Sequence, residues 1–106
     1  MKLVYQNKEI KIKECKSFFD RFMGFMGKTN FNYGLLFNHC SSIHTFFMKD
    51  NIDVIMLDKN NTILFIYSNL GRNKIILPKK NVSKTIELPV NYFNFILNEK
   101  IVILND

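Results

Sequence analysis

The chain has 106 residues and a formal net charge of +6, enough for one domain around one hydrophobic core. Hydrophobic residues make up 47% of it, yet no apolar run reaches the ~18–20 residues that span a bilayer. That excludes a membrane-spanning helix, and the opening MKLVYQNKEIKIK has no apolar core of signal-peptide length, so a soluble, cytoplasmic protein is expected.

A basic chain invites a nucleic-acid or anionic-membrane partner. Here thirteen of the fifteen basic residues are Lys, and only Lys79 and Lys80 are adjacent. Charge spread so evenly argues for a solvated basic surface and against nucleic acid. Fourteen Asn with no Ala and no Trp is the profile of an AT-rich coding sequence. Cys15 and Cys40 form no CxxC pair and read as free, partly buried thiols.

In chain order, residues 1–5 alternate weakly and 9–13 form a second strand, with Ile10 and Ile12 on one face and Lys11 and Lys13 on the other. Ser17 followed by Asp20 is a capping box that opens the one helix. Phe18, Phe19, Phe22, Met23 and Met26 recur at helical spacing, and this apolar stripe is expected to pack on a sheet. Gly24 marks the helix end.

Residues 33–37 begin a central stretch, and 38–42 are a polar connection. Residues 43–48 read as a strand with His44, Phe46 and Met48 on one side. Residues 52–57 are apolar except for Asp53, as expected of a strand covered on both faces. Asp58 to Asn61 is a hairpin turn, and 62–67 is the returning strand. Short strands follow at 74–77 and 84–88, each stopped by Pro, then an apolar patch at 92–97 and a last strand at 100–104. Many short strands, one early helix and no β-α alternation predict a mainly β fold. We expect a small antiparallel sandwich or partly closed barrel, one domain over residues 1–106.

The segment RFMGFMGKTNFNYGLLF, from Arg21, resembles the Arg-x-x-Gly-Leu-Met motif of the domain-of-unknown-function family 192. HTFFMKDNIDVIMLDKNNTILFIY resembles that family's Trp-Met-x-x-x-x-Ile-x-Leu-Asp core, and TIELP its Leu-Glu-Leu-Pro segment. The likeness runs from about Phe19 to the C-terminus. Phe25 replaces the motif's Leu, Phe47 its Trp, Val90-Asn91 its Ala-Gly and Asn98-Glu99 its late Gly-Asp. The resemblance implies a jelly-roll-like β-sandwich crossed by a short helix, and no established activity. It also implies relatives with leader peptides, which are not expected here.

Three chemistries compete. A binding site would draw on Arg21, His44, Met48, Asp53 and Glu87, because acids in apolar strands need partners. The plain structural alternative is that Arg21 and one acid pin the helix to the sheet. A soft-metal site would use His39, Cys40, His44 and Met48, but four strand residues separate His44 from Met48 by ~13 Å. An enzyme would use Cys40, His44 and Asp53 as nucleophile, base and orienting acid, or Asp53 and Glu87 with His44 in acid-base work. No glycine loop cradles phosphate, and no catalytic residue, metal or cofactor is assigned. The expectation is non-enzymatic binding of a small molecule or protein partner, between the helix around Phe22 and the strands of His44, Met48 and Asp53. A hydrolase-like or metal-dependent enzyme is the alternative.

Overall fold

The middle strands of this chain are apolar at almost every position, so both faces of their sheet must be covered. A computed structural model describes residues 1–105, apart from the Phe18 side chain, whose place in the helical stripe lies outside the described residues. Its elements are β1 (Lys2–Tyr5), β2 (Lys8–Glu14), α1 (Phe18–Met23), β3 (Gly34–Asn38), β4 (Ile43–His44), β5 (Ile52–Leu57), β6 (Ile63–Leu70), β7 (Ile75–Ile76), β8 (Lys84–Pro89) and β9 (Val102–Leu104).

Seven strands form one sheet in the order β6-β5-β8-β3-β2-β1-β9, and β4 and β7 form a small second sheet. Every pairing is antiparallel except that of β2 with β3, which is parallel. A parallel pair needs a crossover, and the segment containing α1 supplies it. Gly34 stands where β2 and β3 meet, and a Cβ there would lie 2.7 Å from Leu88 and 2.9 Å from Ile12. The two sheet edges curl together at a Thr62–Lys100 bridge, with the Ile63 N–H donating to the Glu99 carbonyl at 2.8 Å. The result is the partly closed barrel that the sequence suggests.

Period-two alternation sorts the apolar residues into two cores. Leu3, Ile10, Ile12, Leu36, Ile55, Ile86 and Leu88 fill the inside of the curl. Leu35, Phe37, Ile52 and Val54 face outward and are covered by Cys15, Phe25 and Met48. Residues 92–97 form no helix: the rings of Phe93 and Phe95 pack on Tyr5 at 6.1 and 5.0 Å.

Two local expectations change. The strand expected at 43–48 stops at His44, and a turn follows in which Phe47 takes φ +61° and the Met48 N–H bonds to the Thr45 carbonyl. Thr45 is the reason. It is buried, and its hydroxyl donates to the Gly71 carbonyl at 2.7 Å and accepts from the Lys74 N–H at 2.8 Å, holding a loop where a strand ladder would run. Nor does the helix bury its stripe: Phe19 is 67% and Phe22 52% exposed. The helix has six residues, its Ser17 cap accepting from the Asp20 N–H, and Gly24 at φ +48° turns the chain so that Phe25 is buried instead.

The asparagines have a conformational use. Eight of the fourteen, among the described residues, adopt positive φ: Asn7, Asn30, Asn61, Asn69, Asn73, Asn81, Asn91 and Asn98. Asn tolerates the left-handed region better than other non-glycine residues, and a chain with four glycines needs that tolerance at its turns. At the β5–β6 hairpin Asp58 completes the turn, its carboxylate held below the usual range by the N–H groups of Thr62 and Asn60.

Candidate functional site

A pocket of about 230 Å³ opens between α1, the chain after its Gly24 cap, β4 and the outer face of the large sheet. Its walls include Phe22, Phe25, Phe37, Phe46 and Met48. Glu87 is the one acid in the lining among the described residues. On β8 it stands opposite Leu35 of β3 and Val54 of β5, on the outward face.

Glu87 is 5% exposed, and its Oε1 has no hydrogen-bond partner among the described residues. Burial pushes its carboxyl up to about 7, and the Phe25 backbone N–H only partly opposes this. Gly24 lies directly against it, a Cβ there falling 3.0 Å from Oε1. Behind it, the Cys15 thiol is raised to about 11, first by burial and then by the Glu87 charge. A thiol so placed is not an activated nucleophile.

Arg21 lines the pocket, but its guanidinium donates to the Asn38 carbonyl at 2.7 Å and the His39 carbonyl at 3.4 Å. It pins the helix to the end of β3 through backbone oxygens, where the sequence suggested an acid. His44 and Met48 both reach the pocket because the turn at Phe47 breaks the extended spacing. The His44 ring lies between Phe22 and Phe46, at 5.3 and 5.2 Å. Its Nδ1 accepts the Phe46 N–H at 3.3 Å, so the neutral ring carries its proton on Nε2.

Asp53 lies elsewhere. It pairs with Leu88, one position along β8 from Glu87, so the two acids project to opposite faces of the sheet. Its carboxylate accepts the Asn69 N–H at 2.7 Å and the Asn91 N–H at 3.0 Å, fixing two left-handed residues, one at the register shift in β6 and one in the turn after β8. The Asp53–Glu87 pair and the Cys40–His44–Asp53 set are therefore not assembled. His39 is exposed and stands outside the pocket lining, and the Cys40 thiol donates to the Ser42 carbonyl at 3.0 Å. Among the described residues, no group of three or more His, Cys, Asp or Glu is placed to hold a metal ion.

Of the five residues expected at a binding site, Arg21, His44, Met48 and Glu87 line this pocket and Asp53 does not. Gly24 and Phe25 were not expected there as cap and wall, and Phe46 was expected only on the same side as His44 and Met48. Gly24 had a signal, the glycine of the Arg-x-x-Gly motif. Phe25 stands at the Leu of the same motif, which marks an apolar position, but its burial depends on the chain reversal that follows the helix.

Residues 2–97 match the model of DUF192, a family described as Uncharacterized ACR. The chain belongs to this family. The match begins earlier than the motifs at 21–37 suggest and ends before β9. A UPF0127 protein of Thermococcus sibiricus is 34% identical over 92 residues, covering 81% of this chain and 59% of that protein. A UPF0127 protein of Pyrococcus abyssi is 35% identical over 88 residues, covering 77% of this chain and 74% of the relative. The chain thus spans little more than half the length of the Thermococcus sibiricus relative, 59% of it. Two crystal structures share the fold. One, from Sinorhizobium meliloti 1021, is described as a candidate transcription regulator; its TM-score is 0.79 at 14% identity, over 95% of this chain and 89% of the other. The other, a Novosphingobium aromaticivorans protein of unknown function, has a TM-score of 0.71 at 10% identity, over 85% and 71% of the two chains. At these identities the likeness concerns the fold. Among the described residues of this DUF192 chain, no helix is long and apolar enough to cross a membrane.

Proposed function

We propose that this DUF192 chain is a non-enzymatic binding module that takes a small molecule in the pocket under α1. The observation that carries the reading is the Glu87 carboxyl, buried in an aromatic-lined pocket with Oε1 unpartnered among the described residues. A buried acceptor without a donor costs stability, and a ligand that brings the donor recovers it. Separation of Asp53 from Glu87 by the thickness of the sheet supports binding over acid-base chemistry. Arg21, His44, Met48 and Glu87 are the proposed ligand-binding residues; Asp53 is proposed to support the fold.

A second reading has its own observation. Phe19, Phe47, Ile75 and Leu77 are exposed on or beside the elements that frame the pocket, and such apolar surface suits a protein partner.

Native mass spectrometry of the chain, purified gently and without chelator, tests both. A co-purifying organic mass lost in Glu87→Gln is the expected result. A bare chain that also shows no pocket shifts against a small-molecule fragment library by NMR overturns the small-molecule reading. A co-purifying polypeptide would favour the second.

A further inference from the structure

Glu87 is a carboxyl group among aromatic rings with no cation acting on it among the described residues, and that restricts what can fill the space beside it. We infer that the occupant is a small primary ammonium ion on an apolar body. The inference rests on the binding function proposed above and deepens it.

The first observation is the orphaned acceptor. Oε1 has no hydrogen-bond partner among the described residues, so the occupant that suits it brings an N–H or O–H donor. The second is the absence, among the described residues, of a cation that offsets Glu87. From α1, Arg21 is committed to two backbone carbonyls, and Asp20 is a further acid. From β4, His44 turns its Nδ1 to the Phe46 N–H, which it accepts at 3.3 Å. Cys15, at the end of β2, and Cys40, after β3, contribute thiols, the first held protonated by burial. The strand neighbours opposite Glu87, Leu35 and Val54, are apolar. A buried carboxylate that meets the Phe25 backbone N–H but no cation is still costly. An ammonium group supplies donor and charge together, where a hydroxyl supplies only the donor.

The third observation is the wall. Phe22, Phe25, Phe37 and Phe46 surround the space, and aromatic faces attract a cation through their quadrupoles. A quaternary ammonium would satisfy the rings and leave Oε1 unpartnered, so the ion carries N–H. At about 230 Å³ the pocket is smaller than the ~300–1,000 Å³ of drug-sized sites, which limits the body to about one ring or a short branched chain. The net charge of +6 repels cations from a distance. Salt screens that repulsion beyond ~8 Å, but screens contact with a buried carboxylate much less.

The test is an NMR titration of the ¹⁵N-labelled chain with benzylamine, benzyl alcohol and toluene. At pH 8 benzylamine should bind about tenfold more tightly than benzyl alcohol and shift the amides of Gly24, His44 and Met48. Its affinity should fall roughly tenfold between pH 8 and pH 6, the ratio of ionised carboxyl for a group near 7; benzylamine stays protonated throughout. Glu87→Gln should bring benzylamine down to the level of the alcohol, and if that variant fails to fold, the wild-type pH series carries the test. Benzyl alcohol or toluene binding as tightly as the amine, at both pH values, overturns the ammonium inference and leaves the pocket reading standing. Silence of all three probes at those amides overturns both.

Discussion

Gly24 and Glu87 share one space: a Cβ on the helix cap would sit 3.0 Å from the Oε1 of the buried acid. Gly24 also adopts φ +48° and ψ −129°, a conformation that only glycine enters easily. Gly24→Ala should therefore cost about 2–3 kcal/mol, from backbone strain and from displacement of the carboxyl. Urea denaturation measures it. Combined with Glu87→Ala, the cost should fall short of the sum of the single variants, because removing the carboxyl also removes its conflict with the new Cβ. Strict additivity would separate the two residues.

Burial sets the sign of a pH effect. Glu87 titrates at about 7 in the fold against an ordinary 4.5. Between those values the folded chain holds more protons than the unfolded one. Its contribution is fully present below pH 4.5, is lost as pH rises toward 7, and is level above that. The total is about 3 kcal/mol. Denaturation midpoints at pH 5, 6, 7 and 8, compared with Glu87→Gln, isolate this contribution. The wild type should lose ground to the variant as pH rises, and an unchanging difference would contradict the assignment.

Asp53 is fixed by two backbone donors, the N–H groups of Asn69 and Asn91. Asp53→Ala leaves both unsatisfied and should destabilise the fold by about 2–4 kcal/mol, since hydrogen bonds to a charged group are the stronger kind. Hydrogen exchange should accelerate first at those two amides, while benzylamine affinity stays unchanged in the folded fraction. An affinity loss as large as that of Glu87→Gln would move Asp53 into the site.

Arg21 joins α1 to the end of β3 through the Asn38 and His39 carbonyls. Arg21→Met keeps the apolar stem and removes these bonds, so a loss of about 1–2 kcal/mol is expected. The helix amides should show the faster hydrogen exchange. Unaltered protection there would mean that the helix is held by other contacts.

The two thiols should separate in reactivity. Cys15 is buried and its thiol sits at about 11, so at pH 8 a maleimide should reach it only through unfolding. Cys40 is half-buried in the pocket lining and should label in the native state, more slowly with benzylamine bound. Equal labelling of both, followed by mass spectrometry, would contradict the packing around Cys15.

Much of the fold is local and could be read locally. The Ser17 cap and the Gly24 stop follow from side-chain and backbone chemistry within a few residues. Alternation at Ile10 and Ile12, the turn at Asp58 and the run 52–57 place strands to within a residue or two. The abundance of Asn looked like codon usage alone; the positive φ values show what a glycine-poor chain does with it.

By itself the sequence determined the mainly β class, the single helix, the strands of the central sheet and the residues that carry the family motifs. Each of these depends on periodicity, propensity or a motif within a short window. Only the tertiary structure decided which acid faces the pocket, because Asp53 and Glu87 are told apart by the register of β5 on β8, and a slip of one residue would exchange their faces. It also decided that Arg21 meets backbone and that Thr45 bends the chain so that His44 and Met48 converge. Those outcomes depend on partners seventeen or more residues away in the chain, a distance over which local pattern carries no information.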